Sequence, residues 1–309
     1  MAPPPPGRNL VDKSGRLFSL KLGHCRAARL HCRPATLSLG RIAVFSLAQL
    51  EALRVAEIDQ IAALFPAGAR VLEIGGGTGT QALELQRRGF DLTAIEIPDS
   101  NYAADRVFPI KDYDGRTIPL PDASVDVVFS SNVLEHLPDL PRMHAEIRRV
   151  LAPGGICIHV LPTHTWRLWT TLTSYLEAVS FSVLSVPQLV PRALPSGAEL
   201  RRLGQAWYRT ARHTIGLCLP RRHGERGNVV SELWLFHPRW WRQNFRSNGF
   251  AVVGDEPMGL FYTGEMLLGR RLGLHQRARL ARVLGSSCHL FKLAPIAQGS
   301  GKFRLRRTP

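Results

Sequence analysis

Lysine and acidic residues are scarce in this chain of 309 residues. Five of the 40 basic residues are lysines, and only 24 acids oppose them, so the formal net charge is +16 at pH 7. The first fifty residues hold one acid, Asp12, and none occurs from Met266 to Pro309. Arginine binds phosphate and carboxylate groups in a bidentate manner, so the balance favours a polyanionic partner: an anionic membrane surface, a phosphorylated substrate or RNA. A general preference for arginine in the proteins of the source organism would give the same composition without such a partner.

Cysteines are also few, and they are odd in number and far apart: Cys25, Cys32, Cys157, Cys218 and Cys288. This pattern is not that of a disulfide framework and favours a reducing cytoplasm. The Pro-rich start does not resemble a signal peptide, although an arginine-rich N-terminus also fits an organellar transit peptide. His24-Cys25 and His31-Cys32 lack the C-x-x-C unit of a zinc site, so we expect no bound metal.

Long hydrophobic runs are absent as well. The most apolar stretch, residues 166–186, is interrupted by Ser, Thr and Glu177 and is followed by Pro187 and Pro191. It is too polar for a bilayer span, which needs about twenty predominantly apolar residues. We interpret it as a helical lid over an acceptor pocket that contacts a lipid surface, or alternatively as a helix packed on the core. Arginines follow it, at positions 192, 201, 202, 209, 212, 221, 222 and 226.

The most informative segment that is present is 71–89, which predicts a strand, a glycine loop and a helix. Thr78 and Gln81 have the spacing of a capping box that would begin this helix. Glycines let a backbone approach a small ligand closely, and a helix N-terminus attracts negative charge. A dinucleotide site would need a third glycine at position 80, where Thr80 stands. The actual spacing is E-x-G-x-G-x-G, from Glu73 through Gly75 and Gly77 to Gly79.

With this spacing the chain resembles the class I S-adenosylmethionine-dependent methyltransferases. Later landmarks extend the resemblance in the same order along the chain. A second strand, 91–97, ends in Glu96, whose carboxylate suits ribose hydroxyls, and Ile97 follows it. Asp114 matches the aspartate that contacts the adenine amino group in the family, with Asp112 as the alternative. The segment between Glu96 and Asp114 is too short for a full helix and strand, so the third unit is expected to be trimmed.

A fourth strand begins at Val125 and runs into Asn132-Val133-Leu134-Glu135-His136-Leu137, which is similar to the family's motif. A helix then ends at Pro153-Gly154-Gly155, and a fifth strand is expected over 156–160. The resemblance implies that the cofactor is S-adenosylmethionine and that the cofactor-binding residues are Glu73, Gly75, Gly77, Thr78, Gly79, Glu96, Ile97, Asp114, Asn132 and Val133.

The resemblance also places His136 on the acceptor side, as the candidate general base where the acceptor must lose a proton. Glu135 would orient it, and the alternative is that His136 only caps or packs. Trp166 and Trp169 are the candidate acceptor contacts. The fourth strand is not followed by an N-P-P-Y or D-P-P-Y tetrapeptide, which argues against methylation of adenine or glutamine amino groups of that type. No carboxylate cluster for a catalytic metal is evident in the sequence.

The predicted fold is α/β: a Rossmann-like, doubly wound, mostly parallel seven-stranded sheet with a helical insertion. Residues 1–40 are interpreted as a basic, Pro-rich and partly disordered extension. The methyltransferase domain would cover 41–309, with the insertion at about 163–227. A helix is expected over 47–65, and a later helix, 240–248, would precede a strand at 251–254. The last strand is expected over 287–293.

Three functions fit these patterns. The first is methyl transfer to a small-molecule, lipid-linked or glycan-precursor acceptor by a cytoplasmic protein that contacts an anionic membrane peripherally. The second is methylation of RNA, which only the charge favours, and DNA is not an expected partner. The third is a non-catalytic relative that serves in assembly, against which the intact glycine loop and Glu96 argue.

Overall fold

The computed structural model describes residues 46–191, 194, 196–219, 221–264 and 268–296. The predicted extension at 1–40, with its His-Cys pairs, lies outside this range. The helices are α1 Leu47–Ala62, α2 Thr80–Arg87, α3 Leu140–Val150, α4 His164–Leu189, α5 Gly197–Cys218, α6 Glu232–Leu235, α7 Pro238–Ser247 and α8 Leu274–Leu284. The strands are β1 Arg70–Ile74, β2 Asp91–Glu96, β3 Ile110–Asp112, β4 Val125–Ser131, β5 Leu151–Pro162, β6 Phe250–Pro257 and β7 Cys288–Pro295.

All seven strands form one sheet in the order β3-β2-β1-β4-β5-β7-β6. β1 pairs in parallel with both β2 and β4, and β5 continues the parallel part beyond β4. β7 runs antiparallel to both its neighbours, β5 and β6. The predicted mostly parallel, seven-stranded sheet is therefore confirmed. The direction in which successive strands are added to the sheet reverses between β1 and β4. In open α/β sheets, ligands bind at such a point, beyond the carboxyl ends of the strands.

The sheet is covered on both faces because its central strands alternate two sets of apolar side chains. In β1, Leu72 and Ile74 join the core that packs against α3 and α7, whereas Val71 joins the core under α1 and α2. In β4, Val128 faces the first core and Phe129 the second. Helices on both faces leave the carboxyl ends of the strands as the accessible edge of the sheet.

Three local predictions differ from the structure, and a fourth agrees with it. α1 ends at Ala62, three residues before the expected end, although Phe65 is still buried. α2 has Gly79 at its N-cap with no side-chain cap, so the predicted capping box of Thr78 and Gln81 is wrong. Pro153-Gly154-Gly155 lies inside β5 as an irregularity, because the pair Val125–Leu151 is followed by Val127–Ile156. The third unit is trimmed as expected, to one turn of 3₁₀ helix, Ala103–Asp105, and the short strand β3.

The predicted insertion begins with two long helices, α4 and α5, that pack against each other as a hairpin. The ring of Phe181 lies 4.4 Å from that of His213, and Ser182 Oγ lies 2.9 Å from Thr214 Oγ1. Trp207 Nε1 donates to the Leu189 carbonyl at 3.1 Å. Among the described helices none combines the length and the apolar character that crossing a membrane requires.

Candidate functional site

The glycine loop joins β1 to α2 and is bonded onto β2. The amides of Gly75 and Gly76 both donate to the Ile95 carbonyl, at 2.9 and 3.1 Å. Gly75 is in the left-handed region, with φ 75°, and a Cβ there would overlap the side chain of Val133. Gly79 is also left-handed, with φ 82°, and a Cβ there would press on Phe108. Only glycine fits these two positions, and the loop therefore brings bare backbone next to Val133.

Glu96, the last residue of β2, is hydrogen-bonded to the glycine loop. Its Oε2 accepts from the Gly77 amide at 3.1 Å, and its Oε1 accepts from the Ile97 amide at 2.9 Å. Burial raises the pKa of Glu96, while these two amides oppose that shift. Three of the predicted cofactor residues, Gly77, Glu96 and Ile97, thus form one hydrogen-bonded unit at the carboxyl ends of β1 and β2.

Glu73 lies one residue before the end of β1 and is fully buried. Its Oε2 has no hydrogen-bond partner in the structure. Burial, together with nearby Glu96, raises the pKa of Glu73 to about 8. A buried carboxyl without a partner is costly, so a positively charged or hydrogen-bonding ligand at this place would stabilise it. The sulfonium and ammonium groups of S-adenosylmethionine supply such charges, and the loop and Glu73 fit this cofactor.

Thr78 occupies the middle of the loop and is buried. Its Oγ1 lies 3.0 Å from Thr80 Oγ1, and its carbonyl accepts from the Val107 amide at 2.7 Å. Thr80 Oγ1 donates in turn to Glu51 at 3.0 Å, which connects the loop to α1. Thr78 therefore holds the loop in place without capping α2.

Contact between the adenine of the cofactor and a carboxylate, Asp114 or alternatively Asp112, stays a prediction. Asp112 is paired in register with Glu96 across β2 and β3, and it is bonded to Arg106 at 3.1 Å. Asp114 lies two residues further, where its Oδ1 accepts from the amides of Arg116 and Thr117 at 2.8 and 2.7 Å. These amides hold the pKa of Asp114 below its ordinary value. The next residue, Gly115, lies against the predicted cofactor residue Ile97.

Asn132 follows β4 with a positive φ of 55° and joins a buried polar cluster. With its amide oriented to satisfy its neighbours, Asn132 Oδ1 accepts from Arg54 at 2.7 and 2.9 Å. Arg54 also pairs with Glu57 at 2.9 Å and donates to Tyr262 Oη at 3.1 Å. The side chain of Asn132 is thus engaged by α1. No local pattern predicts that Arg54 contacts Asn132 and Tyr262, because both lie far from it along the chain.

The predicted acceptor residues Glu135 and His136 lie in a 3₁₀ turn just after β4. The structure adds His223, from the end of the insertion, whose ring lies 4.6 Å from that of His136. Trp166 also contacts His223, again with 4.6 Å between the ring centres. Trp169 does not join this group: its indole donates to the Leu284 carbonyl at 3.0 Å, and its ring contacts Phe261. Glu135, His136 and His223 are here called the acceptor-side cluster. Of the two predicted tryptophans, Trp166 contacts this cluster and Trp169 does not.

A short segment of the insertion is bonded onto this cluster. The Glu225 amide donates to the Glu135 carbonyl at 3.0 Å. The amides of His223 and Gly224 both donate to Glu232 Oε1, at 2.6 and 2.7 Å. Glu232 lies 3.1 Å from the buried Arg167 of α4. His223 is therefore fixed by the backbone around it, and the insertion contributes directly to the acceptor side.

Burial sets the charge states of the cluster. It lowers the pKa of His136 to about 4, so this imidazole is neutral at pH 7 and able to accept a proton. The His136 side chain keeps about a third of its surface exposed, 36%, so solvent still reaches it. Burial also raises the pKa of Glu135 to about 8, although Arg54 and Arg226 oppose that shift.

Neither carboxylate oxygen of Glu135 has a hydrogen-bond partner. Glu135, His136 and His223 each offer one donor atom, and these atoms lie within 4.8 Å of one another. Two imidazoles and a carboxylate form a donor set that zinc accepts. The sequence predicted no metal here, because His223 is remote from the other two residues along the chain.

Comparison with known proteins identifies part of the chain. Residues 72–159 match the family model of the methyltransferase domain. An uncharacterized methyltransferase of Mycobacterium sp. (strain JLS) is 39% identical over 119 residues, which are 37% of this chain and 47% of that protein. One of Mycobacterium tuberculosis (strain ATCC 25618 / H37Rv) is 34% identical over 99 residues, 30% and 39% of the two chains. The chain thus spans about half the length, or less, of these relatives.

Solved structures with a similar chain trace include S-adenosylmethionine-dependent methyltransferases of Mesorhizobium loti and Archaeoglobus fulgidus. The first has a TM-score of 0.44 and 16% identity, covering 77% of this chain and 97% of that one. The second has a TM-score of 0.45 and 16% identity, covering 79% and 93%. The family match at 72–159 contains every predicted cofactor residue, whereas Arg54, Trp166 and His223 lie outside it.

Proposed function

Since residues 72–159 form a methyltransferase domain of the class I, S-adenosylmethionine-dependent type, we propose that the protein transfers a methyl group from S-adenosylmethionine to an acceptor bound beside His136. The observation that carries the proposal is the unit of Glu73, Gly77 and Glu96, in which a left-handed glycine loop lies against one buried carboxyl, Glu73, and one half-buried carboxyl, Glu96. When bound, S-adenosylmethionine supplies a methyl group already activated on a sulfonium.

The residues of the chain have two tasks in such a reaction. The loop, Glu73 and Glu96 hold the donor at the carboxyl ends of β1 and β2, and the segment after β4 holds the acceptor next to it. Alignment of the two groups supplies much of the rate in a reaction whose donor is already activated. The buried ring of Trp166 and the half-buried ring of His223 limit the access of water to this side.

For a hydroxyl acceptor, the oxygen attacks the methyl carbon, the carbon–sulfur bond breaks and the acceptor proton must leave. We assign the acceptance of this proton to His136, because its imidazole is neutral at pH 7 and partly exposed. Glu135, whose Oε1 lies 3.7 Å from the His136 Nε2, would orient this imidazole. His136→Asn should then lower kcat by about 10²-fold or more while leaving the affinity for S-adenosylhomocysteine unchanged. If His136→Asn lowered kcat and the affinity for S-adenosylhomocysteine by the same factor, His136 would not be the proton acceptor.

A divalent cation bound by Glu135, His136 and His223 is a second candidate, favoured by the two unpartnered oxygens of Glu135. An activity assay with a chelator distinguishes proton acceptance by His136 from cation binding by the three side chains. Activity that survives a chelator supports proton acceptance by His136. Activity that is lost on chelation, and restored by added Zn²⁺ or Mg²⁺, assigns these three side chains to metal binding.

The acceptor class we propose is a small molecule with an apolar part, such as a lipid-linked or glycan precursor. The support is the position of Trp166 on α4, an apolar helix that starts at the acceptor side and continues away from it. Methyl-labelled S-adenosylmethionine incubated with the protein and fractionated cell extract tests this class. Label in the lipid fraction is the expected result. Label in RNA would favour the second function, and bound cofactor with no label in any fraction would favour the non-catalytic one.

A further inference from the structure

We propose that the α4–α5 hairpin is a membrane-docking element that lies on the surface of an anionic bilayer. Docking of this kind does not depend on which acceptor is methylated, and it requires no spanning helix. It rests on two features of the described residues, an exposed apolar stripe on α4 and a row of arginines on α5.

The first feature is a continuous stripe of exposed apolar side chains along α4, here called the hairpin stripe. Its members recur at steps of three and four residues, which places them on one side of a helix. They are Leu168, Leu172, Tyr175, Val179, Val183, Val186 and Val190. At 1.5 Å per residue the stripe is about 33 Å long. Soluble monomers rarely expose apolar patches of this extent, so the stripe indicates an interaction surface.

The second helix does not cover the stripe. α5 packs against α4 through Phe181, Ser182 and Leu189, and none of its residues is buried. It exposes apolar side chains of its own, which are Leu200, Trp207, Tyr208 and Ile215, and the exposed Leu219 follows directly after its last residue. A helix of 22 residues without a buried residue gains little from packing, because most helical stability in proteins comes from tertiary burial. A surface outside the domain would supply that burial.

The charges of the hairpin select an anionic surface. α5 carries four arginines, Arg201, Arg202, Arg209 and Arg212, all exposed and none in an ion pair among the described residues. Its one acid, Glu199, is engaged in the capping box with Ser196. Apolar residues beside exposed arginines are typical of helices that lie in the headgroup region of a bilayer. Anionic lipids attract such arginines within about one Debye length, roughly 10 Å at 0.1 M salt.

A second copy of the chain is a less favourable occupant. Two hairpins placed stripe to stripe would bring two rows of arginines together, on chains that each carry a formal net charge of +16. Like charges at this density oppose self-association. An anionic bilayer buries the same apolar surface and neutralises the arginines at the same time.

Sedimentation of the full chain with lipid vesicles tests the proposal. Vesicles of phosphatidylcholine alone are compared with vesicles that also contain phosphatidylserine, at low and high salt. We expect the protein to pellet with the phosphatidylserine vesicles and to be released as the salt concentration rises. Val179→Asp with Val183→Asp should weaken this binding by about tenfold or more, and Arg209→Gln with Arg212→Gln should do the same.

Matched control variants carry the same changes elsewhere on the surface. Val253→Asp with Val283→Asp alters two exposed valines outside the hairpin, and Arg279→Gln with Arg282→Gln removes two exposed arginines of α8. Both controls should keep wild-type binding, and every variant should keep its circular dichroism and its affinity for S-adenosylhomocysteine. Wild-type protein that stays in the supernatant, or controls that lose as much binding as the hairpin variants, would overturn the proposal. So would a wild-type dimer that the Val179→Asp, Val183→Asp protein cannot form.

Discussion

Gly75 shows how one residue can decide whether the loop forms. Its backbone is left-handed, with φ 75°, and the space where a Cβ would stand is filled by Val133. Gly77 differs: its φ of 56° is also left-handed, but a Cβ there would meet only the ring of Tyr102, at an ordinary 3.6 Å. The two glycines are therefore required to different degrees, which the spacing in the sequence alone does not reveal.

Gly75→Ala is expected to reduce the affinity for S-adenosylhomocysteine by at least about tenfold, because strain and the overlap with Val133 displace the loop. Gly68→Ala is the matched control. Gly68 has a similar φ of 66° but has no atom within 4 Å of the Cβ position. It should cost stability without changing affinity, as measured by calorimetric titration and by urea unfolding. Equal affinities for the two variants would contradict the role given to Gly75.

The raised pKa of Glu135 makes stability depend on pH. The folded carboxyl titrates at about 8, well above its ordinary value. Between the ordinary pKa of 4.5 and the folded value of about 8, the folded state binds a proton that the unfolded state has released. The contribution of Glu135 to the free energy of unfolding is therefore present at low pH and is lost as the pH rises toward 8. The buried histidines, whose pKa is lowered, act with the opposite sign and only below their ordinary pKa.

The free energy of unfolding should therefore fall between pH 6.5 and 8, by up to about 1.4 kcal/mol per pH unit for each such carboxyl. Glu135→Gln should flatten this decline, and Glu73, whose pKa is also about 8, contributes to the slope that remains. Glu256→Gln, on the exposed edge strand, is the control. Urea unfolding at several pH values measures the slopes. A Glu135→Gln protein with the wild-type slope would show that Glu135 does not titrate in this range.

Local patterns were enough to predict which residues meet at the ends of β1 and β2, whereas long-range contacts were not visible in the sequence. Gly75, Gly77 and Glu96 follow from a strand, a loop and a strand end within 26 residues, so the sequence predicts their proximity. Arg54 and His223 carry no local pattern, since each acquires its role from partners that are remote along the chain. Thr78 illustrates the opposite error: the capping-box spacing is present, but the loop turns so that Gly79 takes the N-cap.

Among the elements, α6 and α4 are joined by a buried ion pair whose task is positioning. Arg167 and Glu232 lie 3.1 Å apart with side chains 4% and 0% exposed. Burial lowers the pKa of Arg167 and raises that of Glu232, the directions expected for a buried pair whose charges have lost their hydration. Glu232 nevertheless holds the amides of His223 and Gly224. The pair therefore fixes the acceptor side more than it stabilises the fold.

Glu232→Ala leaves Arg167 buried without its partner and should cost about 3–5 kcal/mol of unfolding free energy. Asp126→Ala, which removes the exposed pair with Arg70, should cost at most about 1 kcal/mol. Glu232→Ala should also lower kcat with cofactor affinity unchanged, whereas Asp126→Ala should alter neither. Urea unfolding and steady-state kinetics measure these effects. Similar costs for the two variants would refute the importance of the buried pair.

Elements with a clear period were predictable, and those shaped by tertiary contacts were not. β1, β2, β4 and α1 follow from apolar runs and helical spacing. α8 gives no clear signal, because it is rich in arginine, yet one of these arginines, Arg277, is buried. Arg277 donates to the carbonyls of Phe261, Gly269 and Leu272, which fixes α8 to the loop before it. Contacts of this kind depend on partners outside the helix, so the helical pattern alone does not predict them.

At the scale of the whole molecule, the protein combines a segment that matches the family model of the methyltransferase domain with a hairpin of different character. The family match covers residues 72–159, and the hairpin that bears the stripe lies outside it. The sequence identified the insertion and its arginines, and the structure adds which apolar side chains face outward. A cytoplasmic location and a lipid-linked acceptor stay predictions. A domain that holds the donor and a hairpin that faces the bilayer would together bring an apolar acceptor to His136.

The central claim is that S-adenosylmethionine binds across the carboxyl ends of β1 and β2, held by the glycine loop and Glu96. Calorimetric titration of the full chain with S-adenosylhomocysteine tests it most directly. The predicted result is binding at one site, weakened by about tenfold or more in Glu96→Ala, which removes the carboxylate that accepts from the Gly77 amide. Absence of binding by the folded wild-type protein, or unchanged binding by Glu96→Ala, would contradict the claim.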